Sequence, residues 1–436
     1  MRRNLDLNTA LTDARERYGA ANPQSLALHE KACAVLPGGN TRSILHFDPF
    51  PLVIARGEGA TLWDVDGHAY TDFLGEYTAG LFGHSHPQIR AAVIRALESG
   101  TLLCAPNADE AELAGLLCER FPSVDRVRFC NSGTEANLLA VAAARAHTGR
   151  DGLLVMHGGY HGGVFMFKDG NSPVNVPFNY LFGQFNDIEY TTKLIDNHAA
   201  EIAAIMVEPV MGTGGAIPAT REFLQALRDS ADRYGIVLLF DEVMTSRVAA
   251  GGAQAHYGVM PDLTAFGKYI GGGLTFGAFG GSAELMDQYD PRRPDALPHA
   301  GTFNNNVLTM AAGVTAMRDL YTAEVATAHS ERGEAFKARV NEICRSRGFP
   351  AQITGLGSLL CLHFVAAPIV TPGDAQRTDP HAIALFHLFM LERGFYTSKG
   401  GLMSLSLPLA ANDYDAFVAA LVDFIEQFHA QFQAIT

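Results

Sequence analysis

Near the middle of the chain, two apolar runs end in residues able to do chemistry together. Ile236 to Phe240 ends in Asp241-Glu242-Val243-Met244, and the next candidate strand, Leu263 to Phe266, ends in Gly267-Lys268. Ligands of open parallel sheets sit beyond the carboxyl ends of the strands, so consecutive strands here deliver a carboxylate and an amine to one place. An amine held at a strand end among apolar residues and glycines (Gly267, then Gly271, Gly272 and Gly273) loses its proton readily and forms a Schiff base with an aldehyde. For a lysine taken alone, the alternative is a solvated surface group.

A pyridoxal cofactor uses such a bond. Its electron sink works best with a protonated pyridine nitrogen, which a buried carboxylate such as Asp241 secures. Three further segments fit the same ligand. Asn131-Ser132-Gly133-Thr134-Glu135-Ala136 opens the helical run Asn137 to Ala146. Its free amides, the helix dipole and the hydroxyls of Ser132 and Thr134 suit a phosphate, with Gly133 admitting close backbone approach; an ordinary helix cap is the other reading. Leu153 to Met156 ends in His157-Gly158-Gly159-Tyr160-His161-Gly162-Gly163, where Tyr160 can stack on a planar ring. Ile202 to Val207 ends in Glu208-Pro209, a carboxylate suited to a ring substituent or to fixing Asp241, or else a structural one.

The elements that position these ends follow from periodicity. Residues 8 to 36 read as helical, until Pro37-Gly38-Gly39-Asn40 hands over to a loop with Thr41-Arg42-Ser43. Residues 52 to 74 alternate apolar and polar across Gly57, Gly59 and Asp66-Gly67, as a β-meander does. From about 88, helices alternate with short Ile-, Val- and Leu-rich runs, the pattern of a parallel sheet. A helix over 326 to 348, strands within 351 to 365 and 402 to 407, and an amphipathic helix over 411 to 433 complete the chain, with 366 to 380 its expected mobile loop. The expected fold class is α/β. Residues 1–87 form an N-terminal arm and meander belonging to the small domain, 88–325 a large cofactor-binding domain with a mostly parallel sheet, and 326–436 a C-terminal α+β small domain.

With 436 residues, 48% hydrophobic and 18% charged, the composition is that of a folded globular chain. A net charge of −14 argues against a nucleic-acid partner. The six cysteines show no CxxC pair and no metal-site spacing, which points to a reducing, cytoplasmic setting. After Met1-Arg2-Arg3 the polar Asn4, Asp6 and Asn8 leave no apolar core for a signal peptide, and no run is long enough to span a membrane.

NSGTEA, GGYHG, VEP, LLFDEVMTS and FGKYIGGG, in that order, resemble the class III aminotransferases of the fold type I pyridoxal phosphate enzymes, over nearly the whole chain. PGGNTRS (37 to 43), GTFNNN (301 to 306) and the FGAFGG after the lysine are most similar to the branch holding the β-phenylalanine aminotransferases and the glutamate-1-semialdehyde aminomutases. The resemblance implies that Lys268 carries pyridoxal 5′-phosphate, that Asp241 pairs with its ring nitrogen, and that Ser132, Gly133 and Thr134 hold its phosphate. Tyr160 would cover one ring face and Val243 or Met244 the other. Gly301-Thr302 match a pair that reaches the neighbouring subunit's phosphate, so the resemblance implies a homodimer with shared active sites.

Arg42 matches a loop brought to the pocket mouth, where it would grip a substrate carboxylate, unless it is a solvated surface arginine. The branch has a second arginine just before LSLP; this chain reads Ser398-Lys399-Gly400-Gly401 there, so Lys399 would substitute as a point charge. Phe47, Phe50, Tyr77 and Phe82 either line a hydrophobic substrate pocket or belong to the core. The implied activity is ping-pong transfer of the amino group of a β-amino acid to a 2-oxo acid such as 2-oxoglutarate or pyruvate, with Lys268 as base and acid in turn. An intramolecular aminomutase and a catalytically silent cofactor binder are the competing readings.

Overall fold

The apolar periodicity of the N-terminal region resolves into two helices rather than one, Leu7–Ala21 and Pro23–Cys33. Pro23 makes the break: its ring disfavours helical backbone at the residue before it, and Asn22 sits at φ −123°. The first helix buries Leu7, Leu11 and Tyr18 against the helix Pro380–Glu392. The structure, a computed structural model, describes residues 6–433, so Met1-Arg2-Arg3 and Asn4 of the leader argument lie outside the described residues.

The meander forms as the alternation requires. Strands β1 (Ile54–Glu58), β2 (Thr61–Asp64) and β3 (Ala69–Asp72) pair antiparallel in that order. The large sheet is built from β4 (Arg126–Cys130), β5 (Gly152–Met156), β6 (Asn179–Gly183) and β7 (Ile202–Val207). A small hairpin, β8 (Val210–Met211) with β9 (Ile217–Pro218), intervenes before β10 (Val237–Asp241), β11 (Leu263–Gly267) and β12 (Gly277–Gly281). The order across the sheet is β4-β12-β11-β10-β7-β5-β6.

Every pairing among β6, β5, β7, β10 and β11 is parallel, while β12 runs antiparallel to both β11 and β4. The connection Lys268–Phe276 is too short for the crossover that a parallel return needs, so the chain turns back on itself. Residues of β5, β7, β10, β11 and β12 are buried throughout, which is why most of them read as unbroken apolar runs.

Beyond the helix Ala323–Ser346, β13 (Gln352–Leu356), β14 (Leu359–His363) and β16 (Leu402–Ser404) form an antiparallel sheet. Between the last two, β15 (Phe395–Tyr396) adds to β3 in parallel, so the N-terminal meander and the C-terminal segment share one sheet. The closing helix is Ala411–Gln433. The segment 366–380 holds a short helix, Pro372–Ala375, closed by a capping box between Thr371 and Asp374, and Asn186 Nδ2 donates to the Val370 carbonyl at 2.9 Å. Among the described residues no helix is long and apolar enough to cross a membrane, and all six cysteines are free.

The sheets meet at one fully buried arginine. Arg247, 0% exposed, donates through Nε to Ser358 Oγ at 3.0 Å, through Nη1 to the Thr78 carbonyl at 3.3 Å and through Nη2 to the Leu405 carbonyl. Burial holds its pKa below the usual guanidinium range. The Thr78 carbonyl ends an unusual segment: Gly75, Glu76, Tyr77 and Thr78 have φ of 55°, 48°, 53° and 81°, a left-handed turn that costs non-glycine residues about 1–2 kcal/mol each. Asp72 Oδ1 accepts from the Leu74 and Gly75 amides at 2.8 and 3.0 Å, and Ser404 Oγ accepts from the Thr78 amide at 3.0 Å while donating to the Leu74 carbonyl at 2.6 Å. Arg247→Met keeps the apolar stem and strands these carbonyls. It should lower apparent stability by about 3 kcal/mol, read as a shifted denaturant midpoint; a midpoint equal to wild type would show that the arginine is dispensable to the junction.

Candidate active site

Adjacent parallel strands bring the carboxylate and the amine together as the chain order suggests. In the register of β10 and β11, Asp241 lies beside Ala265, and Lys268 follows β11 directly at φ +56°, a left-handed conformation seldom held by a lysine. Both line a cavity of about 550 Å³, whose wall also holds Arg42, Tyr160 and Glu208. Burial pulls the Lys268 amine down to about 8, against Asp241 and Glu208, which hold it up. The amine therefore has a neutral, nucleophilic form accessible close to physiological pH.

Asp241 is held by three donors. Its Oδ2 accepts from Asn137 Nδ2 and pairs with His161 Nδ1, both at 2.9 Å, and its Oδ1 accepts from the Val243 amide at 3.0 Å. The pairing places the imidazole proton on Nδ1 and leaves His161 Nε2 buried without a hydrogen-bond partner. Asn137 and His161 received no role from the sequence. Asn137 stands one helical turn after Gly133, at the i, i+4 spacing that shares a face, and that spacing was the available signal.

The helix Gly133–Thr148 starts at the cavity with Ser132 as its N-cap, whose Oγ accepts from the Glu135 amide at 3.2 Å. Thr134 Oγ1 accepts from the Gly163 amide at 3.2 Å. Both hydroxyls accept within the protein and keep their protons for a ligand, so serving as a cap does not exclude binding an anion here. Two glycines have no room for a side chain. A Cβ on Gly162, which sits at φ +118°, would fall 2.2 Å from Thr134 Oγ1, and one on Gly133 would fall 2.7 Å from Val243 Cγ2.

Glu208 does not reach Asp241 by a hydrogen bond. Its Oε2 accepts from the Tyr160 amide and its Oε1 from the Gly212 amide, each at 3.0 Å, so it anchors the loop that presents the Tyr160 ring. Burial raises its carboxyl to about 7, with His161 acting against the rise. Val243 and Met244 line the cavity as well. Arg42 lies in the cavity wall, ion-paired to Glu76 and 5.6 Å from the centre of the Tyr77 ring.

Two other expected residues stand elsewhere. Lys399 is not among the residues lining the cavity; its Nζ donates to the His46 carbonyl. Thr302 is exposed and also outside the cavity lining of its own chain. Phe50 and Phe82 are core residues, 2% and 4% exposed, and Phe47 packs edge-on against His387.

A desolvated amine, a carboxylate held by three donors, an aromatic ring and a helix N-terminus with free hydroxyl protons fit the aldehyde, ring nitrogen, ring and phosphate of pyridoxal phosphate. Fold and site thus define a fold type I pyridoxal phosphate enzyme. The family model described as Aminotransferase class-III matches residues 45–423. The chain is 49% identical to the β-phenylalanine transaminase of Variovorax paradoxus over 419 residues, 96% of each chain. The crystal structure of the β-phenylalanine aminotransferase from that organism superposes with a TM-score of 0.96, covering 97% of this chain and 98% of that one. A solved transaminase with pyridoxal phosphate bound, 31% identical, superposes at 0.87 over 94% of this chain and 99% of that one. The glutamate-1-semialdehyde 2,1-aminomutase 2 of Brevibacillus brevis is 35% identical over 414 residues, 90% of this chain and 95% of the relative. The chain belongs to the class III aminotransferase family, and it is a transaminase whose cofactor is pyridoxal phosphate.

Two outcomes follow for cofactor binding. Gly162→Ala should weaken cofactor retention at least about ten-fold, measured by equilibrium dialysis, because the added methyl displaces Thr134; unchanged retention would remove that loop from the phosphate site. Only the neutral amine attacks an aldehyde, so the rate at which cofactor-free enzyme reloads should rise with pH and level off above about 8. A rate still climbing well beyond that would mean Lys268 is not desolvated as described.

Proposed function

We propose that this enzyme moves the amino group of a β-amino acid such as β-phenylalanine to a 2-oxo acid, 2-oxoglutarate or pyruvate, in two half-reactions at one site. The observation behind this is the pairing within one cavity of the Lys268 amine with a single mouth guanidinium, Arg42, in a chain 49% identical to a β-phenylalanine transaminase. The bound cofactor supplies an electron sink for the carbon that carries the amine.

The chain's own residues do the rest. Lys268 Nζ would hold the cofactor and, when free, would take the proton from the amine-bearing carbon and return it, as base and then acid. Asp241, fixed by Asn137, His161 and the Val243 amide, would hold the proton on the pyridine nitrogen. Ser132, Gly133 and Thr134, which line the cavity, would bind the phosphate, Tyr160 would cover one ring face, and Val243 or Met244 would pack on the other. Glu208 acts on Tyr160 by fixing its loop. Arg42 takes the substrate carboxylate in bidentate fashion. Lys399, turned to the 46–48 loop, would meet a substrate only after leaving the His46 carbonyl.

The same reading makes the enzyme a homodimer in which Thr302 serves the partner's phosphate. Phe303 and Leu102, 53% and 68% exposed, lie on loops joined by hydrogen bonds from Asn305 Nδ2 to the Ala105 carbonyl at 3.2 Å and from Asn107 Nδ2 to the Asn305 carbonyl at 3.0 Å. Exposed apolar side chains on these joined loops, Phe303 directly after Thr302, suit a subunit interface. Six free cysteines suit a reducing, cytoplasmic setting.

Product analysis of purified enzyme given β-phenylalanine, with and without 2-oxoglutarate, tests the reading. The expected result is one equivalent of β-keto acid per site without the acceptor and continuous turnover with it. Conversion to an amino isomer without any acceptor would instead establish an aminomutase. Lys268→Ala should abolish turnover, and Arg42→Ala should raise KM for β-phenylalanine by about ten-fold or more. An unchanged KM would remove Arg42 from carboxylate binding.

A further inference from the structure

The guanidinium at the cavity mouth is already occupied. Arg42 Nη1 donates to Glu76 Oε1, and its guanidinium carbon lies 5.6 Å from the centre of the Tyr77 ring. Glu76 and Tyr77 are consecutive, so one short turn supplies both a carboxylate and an aromatic ring to the same cation. Two adjacent side chains converge in this way because both residues are left-handed, with φ, ψ of 48°, 44° and 53°, 47°. Neither is a glycine, and the conformation is imposed from outside by Asp72, Ser404 and buried Arg247. A Cβ on Gly75 would stand 2.4 Å from the Ser404 carbonyl oxygen, so the turn has no slack on that side.

The ion pair does not account for this construction by its own stability. The Arg42 and Glu76 side chains are 44% and 53% exposed, and pairs so open to water are weak and screened by salt. Weakness is what a replaceable partner needs. A substrate carboxylate entering the cavity competes with Glu76 for the same donors, and the Tyr77 ring beneath keeps the guanidinium in reach during the exchange. A ligand without a carboxylate leaves the pair closed and meets no unpaired charge at the mouth.

Resting on the reading that Arg42 binds the substrate carboxylate, we infer that Glu76 is a specificity-determining residue, an internal stand-in that each incoming carboxylate must displace from Arg42. It lowers the affinity of the site for carboxylates and leaves carboxylate-free ligands unaffected. Removing its charge frees Arg42 in advance and spares the substrate that exchange.

Calorimetric titration of the holoenzyme with 3-phenylpropanoate, and with its neutral amide 3-phenylpropanamide, reads the effect directly. Glu76→Gln should bind 3-phenylpropanoate roughly five-fold tighter with the amide unchanged, and should lose this gain in an Arg42→Ala background. Glu76→Asn, whose residue type suits left-handed backbone, should repeat the result and guards against a turn disturbed by the glutamine. An unchanged or weaker affinity for 3-phenylpropanoate in both variants overturns the inference. An equal gain in the Arg42→Ala background also overturns it, because Glu76 would then repel anions without competing for Arg42. If Arg42→Ala alone leaves 3-phenylpropanoate binding as in wild type, the carboxylate reading of Arg42 fails first.

Discussion

A cation and an anion share one poorly solvated cavity in this protein, and the fold is arranged around keeping both usable. Lys268 is stripped of water by strands that are buried on both faces, which lowers its proton affinity. Asp241, delivered by the neighbouring strand, pulls the other way and stops the fall at about 8. Neither group acquires this environment alone. It requires β10 and β11 side by side in parallel, both ending at the same edge, and the antiparallel β12 closing the sheet beyond them.

The helix N-terminus at Ser132 opens on the same cavity and suits the negative end of the cofactor. Its hydroxyls accept from backbone amides and so remain donors toward the cavity. The carboxylates divide the remaining work by position. Asp241 faces the cavity with three donors behind it, whereas Glu208 secures the backbone of Tyr160. At the mouth, the left-handed turn from Gly75 to Thr78 depends on residues distant in sequence. Buried Arg247 ties that turn to the two C-terminal carbonyl and hydroxyl groups it also holds, at Leu405 and Ser358.

Much of the lining of the candidate site was legible because each piece terminates an apolar run or opens a helix. Lys268, Asp241, Tyr160, Glu208, Ser132, Gly133 and Thr134 all belong to that class, and all line one cavity. The residues without a sequence signal act through tertiary contacts. His161 sits in a glycine-rich motif beside Tyr160, and its bond to Asp241 crosses 80 positions of sequence. Glu76 carries no local signal, because nothing in Gly-Glu-Tyr-Thr announces left-handed backbone; Ser404 and Arg247 impose it. The same holds for Lys399, whose place before LSLP implied a substrate contact while its amine is held by the His46 carbonyl. In the fold, the parallel core, the meander and the C-terminal sheet followed from composition and alternation. The break at Pro23 and the reversal at β12 instead follow from a ring constraint and a short connection.

The central claim is that one amine, Lys268, holds the cofactor opposite Asp241. Borohydride reduction of the purified holoenzyme, followed by peptide mass mapping, tests it most directly. The pyridoxyl mass should fall on the peptide containing Lys268 and disappear when substrate amine is added before reduction. A modified lysine elsewhere, or a cofactor that washes away unreduced, would contradict the account.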